Sequence, residues 1–233
     1  MTSPPNDTQA DFLAALRGDL GPLPPGPQTR PREEIAEVHR RRIIAGMAQA
    51  LATNGIARTT IADVVREAQV SRRTFYELFA DKTTCLMATY DACTDLQMRF
   101  IEEAVEARAG QPWQERITAG IRAYLEIMRA LPDLARVLIV ELPSAGPEAL
   151  ARVRAGHARF AALVVRLAEL HREDLPAEAE MDQLTAVAIV GGINELVLQA
   201  LAAGEDPHTP MIERTAMRLV VGALIGARDT AAT

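Results

Sequence analysis

Three helix starts crowd into one stretch of this chain, at Thr60, Ser71 and Asp81, and leave room for only two short helices between them. Thr60 followed by Asp63 is a capping-box pattern, in which side chain and backbone satisfy each other across the first turn. Ile61, Val64, Val65 and Ala68 then recur at i, i+3, i+4 and i+7, the spacing of one buried face. Ser71 is the next N-cap, with Val70 before it and Phe75 after it placed as a hydrophobic staple. Phe75, Leu78 and Phe79 point inward, which turns Arg72, Arg73, Tyr76 and Glu77 outward. Asp81 caps a longer helix that continues through Leu86, Tyr90 and Leu96 to about Arg108.

The same grammar predicts the rest. A helix from about Glu33 to Asn54 has Glu33, Glu34 and Glu37 at its positive end and Ile44, Met47, Ala48 and Leu51 as its stripe. Gly55 supplies a left-handed stop there, with Ile56 folding back on Leu51. Further helices are expected at about Trp113–Leu131, Pro132–Leu142, Gly146–Glu173, Ala177–Ala203 and Thr209–Arg228, with Gly- or Pro-containing breaks between them. Nowhere does period-two alternation persist, and only 4% of residues are aromatic. The expected fold is all-α, about nine helices. Residues 1–31 hold seven of the 14 prolines and read as a mobile tail. Within that tail Phe12, Leu13, Leu16 and Leu20 are spaced for a docked helix. The expected domains are 32–90 and 91–233, divided inside the helix near Tyr90.

A net charge of −6 argues against a polyanionic partner only if it is evenly spread. From Arg30 to Lys82 there are ten Lys and Arg against seven Asp and Glu, so this end is basic and the remainder acidic. Cys85 and Cys93 stand roughly 12 Å apart along one helix, too far for a disulfide, and fit a reducing cytoplasm. No charged and then apolar leader opens the chain, which also points to the cytoplasm. Leu184 to Ala203 is apolar, but Asn194, Glu195 and Gln199 interrupt it, so it is expected to be a buried helix and not a membrane span.

Two short helices joined by a tight turn are the layout in which the second helix enters the major groove of DNA. Arg72 and Arg73 occupy its first turn, and an Arg there can bridge guanine O6 and N7. Thr74 offers contact to a phosphate or a thymine methyl and Tyr76 a hydroxyl to a phosphate, and the N-cap Ser71 is a DNA-binding candidate with them. Lys82, the only lysine in the chain, sits where a helix N-terminus already favours an anion, and Thr60 has the same advantage. Arg40, Arg41 and Arg42 are placed for the flanking backbone, with Arg41 the candidate among them, and Arg30 or Arg32 for a minor groove. An exposed Arg pair by itself is usually just solvated. Its position on a capped second helix is what gives it meaning.

Thr60-Ile61-Ala62-Asp63 through Val70-Ser71-Arg72-Arg73-Thr74-Phe75-Tyr76-Glu77-Leu78-Phe79-Ala80-Asp81-Lys82 resembles the N-terminal domain of TetR/AcrR-type transcriptional regulators, over about Ile43 to Tyr90. The resemblance implies a homodimer on a palindromic operator in double-stranded DNA, released when a small molecule enters an all-helical C-terminal domain. One position departs from the pattern: Gln69 stands where the family usually has Gly. A left-handed Gln there should cost ~1 kcal/mol.

The resemblance also implies dimerisation through the last two helices. Leu184, Val187, Ala188, Gly191, Gly192 and Glu195 present small residues for close approach, and Met217 to Ile225 is apolar around most of its circumference. Candidates for an effector cavity are Phe100, Trp113, Tyr124, Met128, Leu138, Glu141, His157, Phe160 and Asn194. Glu141 and Asn194 are singled out because polar groups on apolar helices need partners. His157 and His171 are too far apart to share a metal. The chain has no Gly-x-Ser-x-Gly elbow, phosphate loop, dinucleotide fingerprint or metal cluster, so no catalytic residue, metal or cofactor is assigned. A DNA-binding architectural or cell-cycle protein without an inducer is the competing expectation.

Overall fold

A computed structural model describes residues 6–18, 32–176 and 179–225, and among them there is helix and no strand. The elements are α1 (Asn6–Arg17), α2 (Arg32–Arg58), α3 (Ile61–Ala68), α4 (Arg72–Leu78), α5 (Lys82–Glu106), α6 (Trp113–Ala130), α7 (Pro132–Arg136), α8 (Pro147–Leu170), α9 (Gln183–Ala203) and α10 (Pro210–Ile225). Leu20, Arg30 and most of the proline-rich stretch, Ala177 and Arg228 lie outside the described residues. The chain divides into two units: one running to Leu96 and including Ala130–Ala149, the other made of Gln97–Arg129 and Leu150 onward.

In the first unit, α1 is a formed helix packed on α2, with Phe12 and Leu16 buried. Ile43, Ile44, Met47, Ala48 and Leu51 of α2 are buried with Val64 of α3 and Phe75 of α4. What lets α2 and α3 approach so closely is Gly46, a residue outside the apolar stripe. A Cβ on it would lie 2.7 Å from Ala68 N and 2.8 Å from Val64 O. The α2 helix does break at Gly55, but at φ 72, ψ 174, a region that only glycine enters easily, and not in the expected left-handed helical stop. One further turn then forms, closed by Thr59 N–H to Gly55 O (3.2 Å).

The segment expected as one helix over Pro132–Leu142 is three pieces: α7, a π turn at Val137–Glu141 and a 3₁₀ turn at Leu142–Ser144. Pro143 explains the change. It has no N–H to offer Ile139 O, and the ladder widens so that Leu142 N–H reaches Val137 O. Both α7 and the π turn pack on α2. Cys85 and Cys93 are buried and unbridged, and burial pushes each thiol up to about 12.

In the second unit, Arg116 is 5% exposed and donates to Asp174 Oδ2 (2.5 Å) and to the ring of His171. Arg122 pairs with Glu213, and His208 lies 3.0 Å from Glu126, which ties α6 to the start of α10. The α9 helix begins six residues later than expected. Asp182 caps Leu184 N–H and Thr185 N–H, while Glu180 N–H upstream is taken by Leu224 O. Nor is α9 the buried helix expected. By length and composition it could cross a membrane, yet little of it is covered, and Leu184 is 79% exposed.

Substituting Gly46→Ala gains about 1 kcal/mol of helix propensity but forces backbone apart, which costs about 1–3 kcal/mol. We expect a net loss, read as a lower urea midpoint for the first unit. An unchanged or raised midpoint would show that α2 and α3 separate freely.

Candidate nucleic-acid interface

The α3–α4 pair is built largely from local hydrogen bonds. Thr60 accepts from Asp63 N–H (3.3 Å), while the Asp63 carboxylate takes the Thr60 N–H (3.0 Å) and hydroxyl (2.6 Å), so the capping box is closed. These bonds, that from the Thr60 side chain first, hold the Asp63 carboxyl below its ordinary range. At the other end Gln69 is left-handed, at φ 53 and ψ 45, the one non-glycine residue with positive φ among those described. Its N–H reaches Arg66 O and the Val70 N–H reaches Val65 O, the two bonds of a Schellman stop. Ser71 then caps α4 through Thr74 N–H (3.0 Å).

Packing sets which side of α4 is offered to a partner. Phe75 is fully buried and Phe79 nearly so, their rings 5.8 Å apart, and the Arg40 guanidinium lies 4.8 Å above Phe79. On the outer side Arg72 is exposed, Arg73 is 88% exposed and paired to Glu77 (2.9 Å), and Tyr76 is 53% exposed with its edge on Phe75. Arg72, Arg73 and Tyr76 thus share the exposed side of one short, anchored helix. The hydroxyls of Ser71 and Thr74 lie 2.8 Å apart, occupied by each other and by the cap.

The structure shows intramolecular contacts for the flanking candidates. The Lys82 ammonium, read as a phosphate grip, donates to Ile56 O and Thr59 O (3.0 Å each), carbonyls left over by the break in α2. One of its three N–H groups is left. The N-terminus of α5 is likewise partly filled, because Asp81 Oδ1 accepts from Thr84 N–H (2.7 Å). Arg40 is committed to Phe79, and Arg41 is exposed but bonded to Glu37 (2.8 Å) and close against Gly18, the residue after α1. Arg32 begins α2 and is exposed.

The nine effector candidates do not share one unit. Leu138 and Glu141 belong to the first; Phe100, Trp113, Tyr124, Met128, His157, Phe160 and Asn194 belong to the second. There Tyr124 and Phe160 meet edge to face at 6.1 Å, Met128 is buried, and burial lowers the pKa of His157, which favours the neutral ring. Glu141 already has protein partners for both oxygens: Ile56 N–H on Oε2 (3.0 Å) and Arg136 on Oε1 (2.7 Å). Nothing in the sequence marks the Ile56 contact, since the residues are 85 apart. The Arg73–Glu77 pair, in contrast, is legible from its i, i+4 spacing.

Residues 43–89 match the family model described as bacterial regulatory proteins, tetR family. Among solved structures, the fatty acid degradation regulator FadR from Bacillus halodurans is 17% identical with a TM-score of 0.63, covering 84% of this chain and 98% of that one. A TetR-family transcriptional regulator from Pectobacterium atrosepticum is 22% identical, TM-score 0.61, with 84% and 98% covered. The FadR regulator from Bacillus subtilis, solved in complex with stearoyl-CoA, is 16% identical, TM-score 0.61, with 78% and 97% covered. These likenesses establish the fold. Comparison with the curated proteins finds no match.

Two outcomes follow. Gln69→Gly should stabilise the first unit by about 0.5–1 kcal/mol, relief of the left-handed strain less the added freedom of the unfolded chain; a lower urea midpoint contradicts the strained turn. The Asp63 and Asp81 carboxyls are both depressed, Asp81 chiefly by the Thr84 backbone bond, so their stabilisation is complete above the usual carboxylate pKa of about 3.9 and is lost as pH falls through the lower folded values. Urea midpoints measured from pH 5 to 3 should fall more steeply for wild type than for the Asp63→Asn, Asp81→Asn double variant. Parallel curves contradict that.

Proposed function

We propose that this chain, which carries the N-terminal domain of the tetR family of bacterial regulatory proteins, is a sequence-specific, cytoplasmic transcriptional regulator: a repressor that leaves a palindromic operator when a small apolar molecule binds its second unit. The observation that carries the reading is the outer side of α4, where Arg72, Arg73 and Tyr76 stand exposed together on a helix anchored by Phe75. In this reading Arg72 and Arg73 contact base edges, Thr74 and Tyr76 the backbone, and Lys82 chiefly holds the turn that precedes α3.

Dimerisation is supported by the apolar surface of the last two helices. Leu184, Val187, Met211, Leu219 and Ile225 are each at least 40% exposed, and such a concentration on neighbouring helices calls for a partner. A two-fold pair places its recognition helices about one DNA turn apart, ~34–36 Å. Support for an effector is the second helical unit, with the Tyr124–Phe160 ring pair, together with the stearoyl-CoA held by the Bacillus subtilis regulator of the same fold.

The test is binding to a duplex selected in vitro from randomised DNA, followed by fluorescence anisotropy over a range of salt concentrations. Arg73→Ala should weaken binding roughly 10- to 100-fold and relax the preference at one base pair of each half-site, with Arg72→Ala similar in kind. Wild type should show log affinity falling steeply and linearly with log salt. Unchanged affinity in both variants contradicts the reading.

A further inference from the structure

The peptide group of Ile56 is gripped on both sides. Its N–H donates to Glu141 Oε2 (3.0 Å) and its carbonyl accepts from Lys82 Nζ (3.0 Å). The carboxylate is itself held by Arg136 (2.7 Å). Glycine at position 55 makes the approach possible, since a Cβ there would lie 3.0 Å from Glu141 Oε2. Four residues after Ile56 stands Thr60, the N-cap of α3. Fixing this peptide therefore fixes where the DNA-binding pair begins.

The carrier of Glu141 is as telling as its contact. It is the last residue of the Val137–Glu141 π turn, one residue away from ordinary α register. Such turns hold an extra residue in the helix, and relaxing one to α register rotates the side chains beyond it by ~100°. That rotation would withdraw the carboxylate from Ile56. Ala130–Ala149 is also the stretch of the first unit that follows α6 and leads into α8, so a strain in either helix reaches the π turn along the chain.

We infer that Glu141 is a positioning residue for DNA binding: with Lys82 it clamps the Ile56 peptide, and the π turn beneath it couples the helical body to the entry of α3. This rests on the DNA-binding reading above, and it assigns to Glu141 a task other than touching an effector. A part-buried, charge-assisted hydrogen bond just before α3 is a contact that a change of register at the π turn would break.

Hydrogen exchange of the full chain, alone and with the selected duplex, tests it. In free Glu141→Ala, amides in 54–60 should exchange about tenfold faster or more, because the Ile56 N–H loses its acceptor. Glu141→Gln, which keeps an acceptor oxygen, should be intermediate, and it serves if the alanine variant folds poorly. In wild type the duplex should slow exchange in 72–78 and also in 137–142; in Glu141→Ala the first effect should persist and the second vanish. Unchanged exchange in 54–60 overturns the positioning role, and a duplex effect on 137–142 that survives in Glu141→Ala overturns the coupling, as does its absence in wild type. Wild type that binds no selected duplex removes the functional reading and the coupling with it, while exchange in 54–60 still decides the clamp.

Discussion

A helix that breaks must find partners for the backbone groups it orphans, and here that requirement shapes the first unit. Gly55 ends the long run of α2 in a conformation open to almost no other residue. The Ile56 N–H and the Ile56 and Thr59 carbonyls are then bonded by side chains far away in sequence, Glu141 from the π turn and Lys82 from the start of α5. These bonds are part-buried, so losing one costs up to about 1–3 kcal/mol, the penalty of a fully buried polar group left unpaired. The lone lysine of the chain thereby has an architectural role, holding two carbonyls at this turn.

From that turn the presentation of α4 follows. Its own ion pair, Arg73 with Glu77, is exposed and worth only ~0.3–0.5 kcal/mol, too little to fix a helix of seven residues. The work falls to Phe75 and Phe79, buried with Val64 and Met47, and to the close seat that Gly46 gives α3. Gln69 works against this arrangement and is tolerated because both flanking bonds of the Schellman stop are made. Exposed arginines on a rigid mount are what groove recognition needs; the same residues on a loose segment would lose binding energy to ordering.

The sequence reveals the capped pair nearly residue by residue because its determinants are local: Thr60 with Asp63, Ser71 with Thr74, Asp81 with Thr84 all lie within one helical turn. Beyond that range legibility drops for physical reasons. Pro143 turns an apparently continuous helix into a π turn and a 3₁₀ turn, and no periodicity shows how far back the ladder widens. The start of α9 moves to Asp182 because a tertiary bond to Leu224 O competes for the preceding backbone. Glu141 is legible as a polar residue on an apolar helix in need of a partner, but that partner lies 85 residues away, where no periodicity points. The exposed faces of α9 and α10 were visible only as an excess of apolar residues.

Guanine methylation interference on the selected duplex tests the central claim most directly, since a methyl on N7 blocks the atom an arginine would bridge. Two clusters of interfering guanines are expected in the major groove, related by two-fold symmetry and one helical turn, ~34–36 Å, apart. Interference by minor-groove adenine methylation alone, or no interfering position at all despite binding, would contradict it.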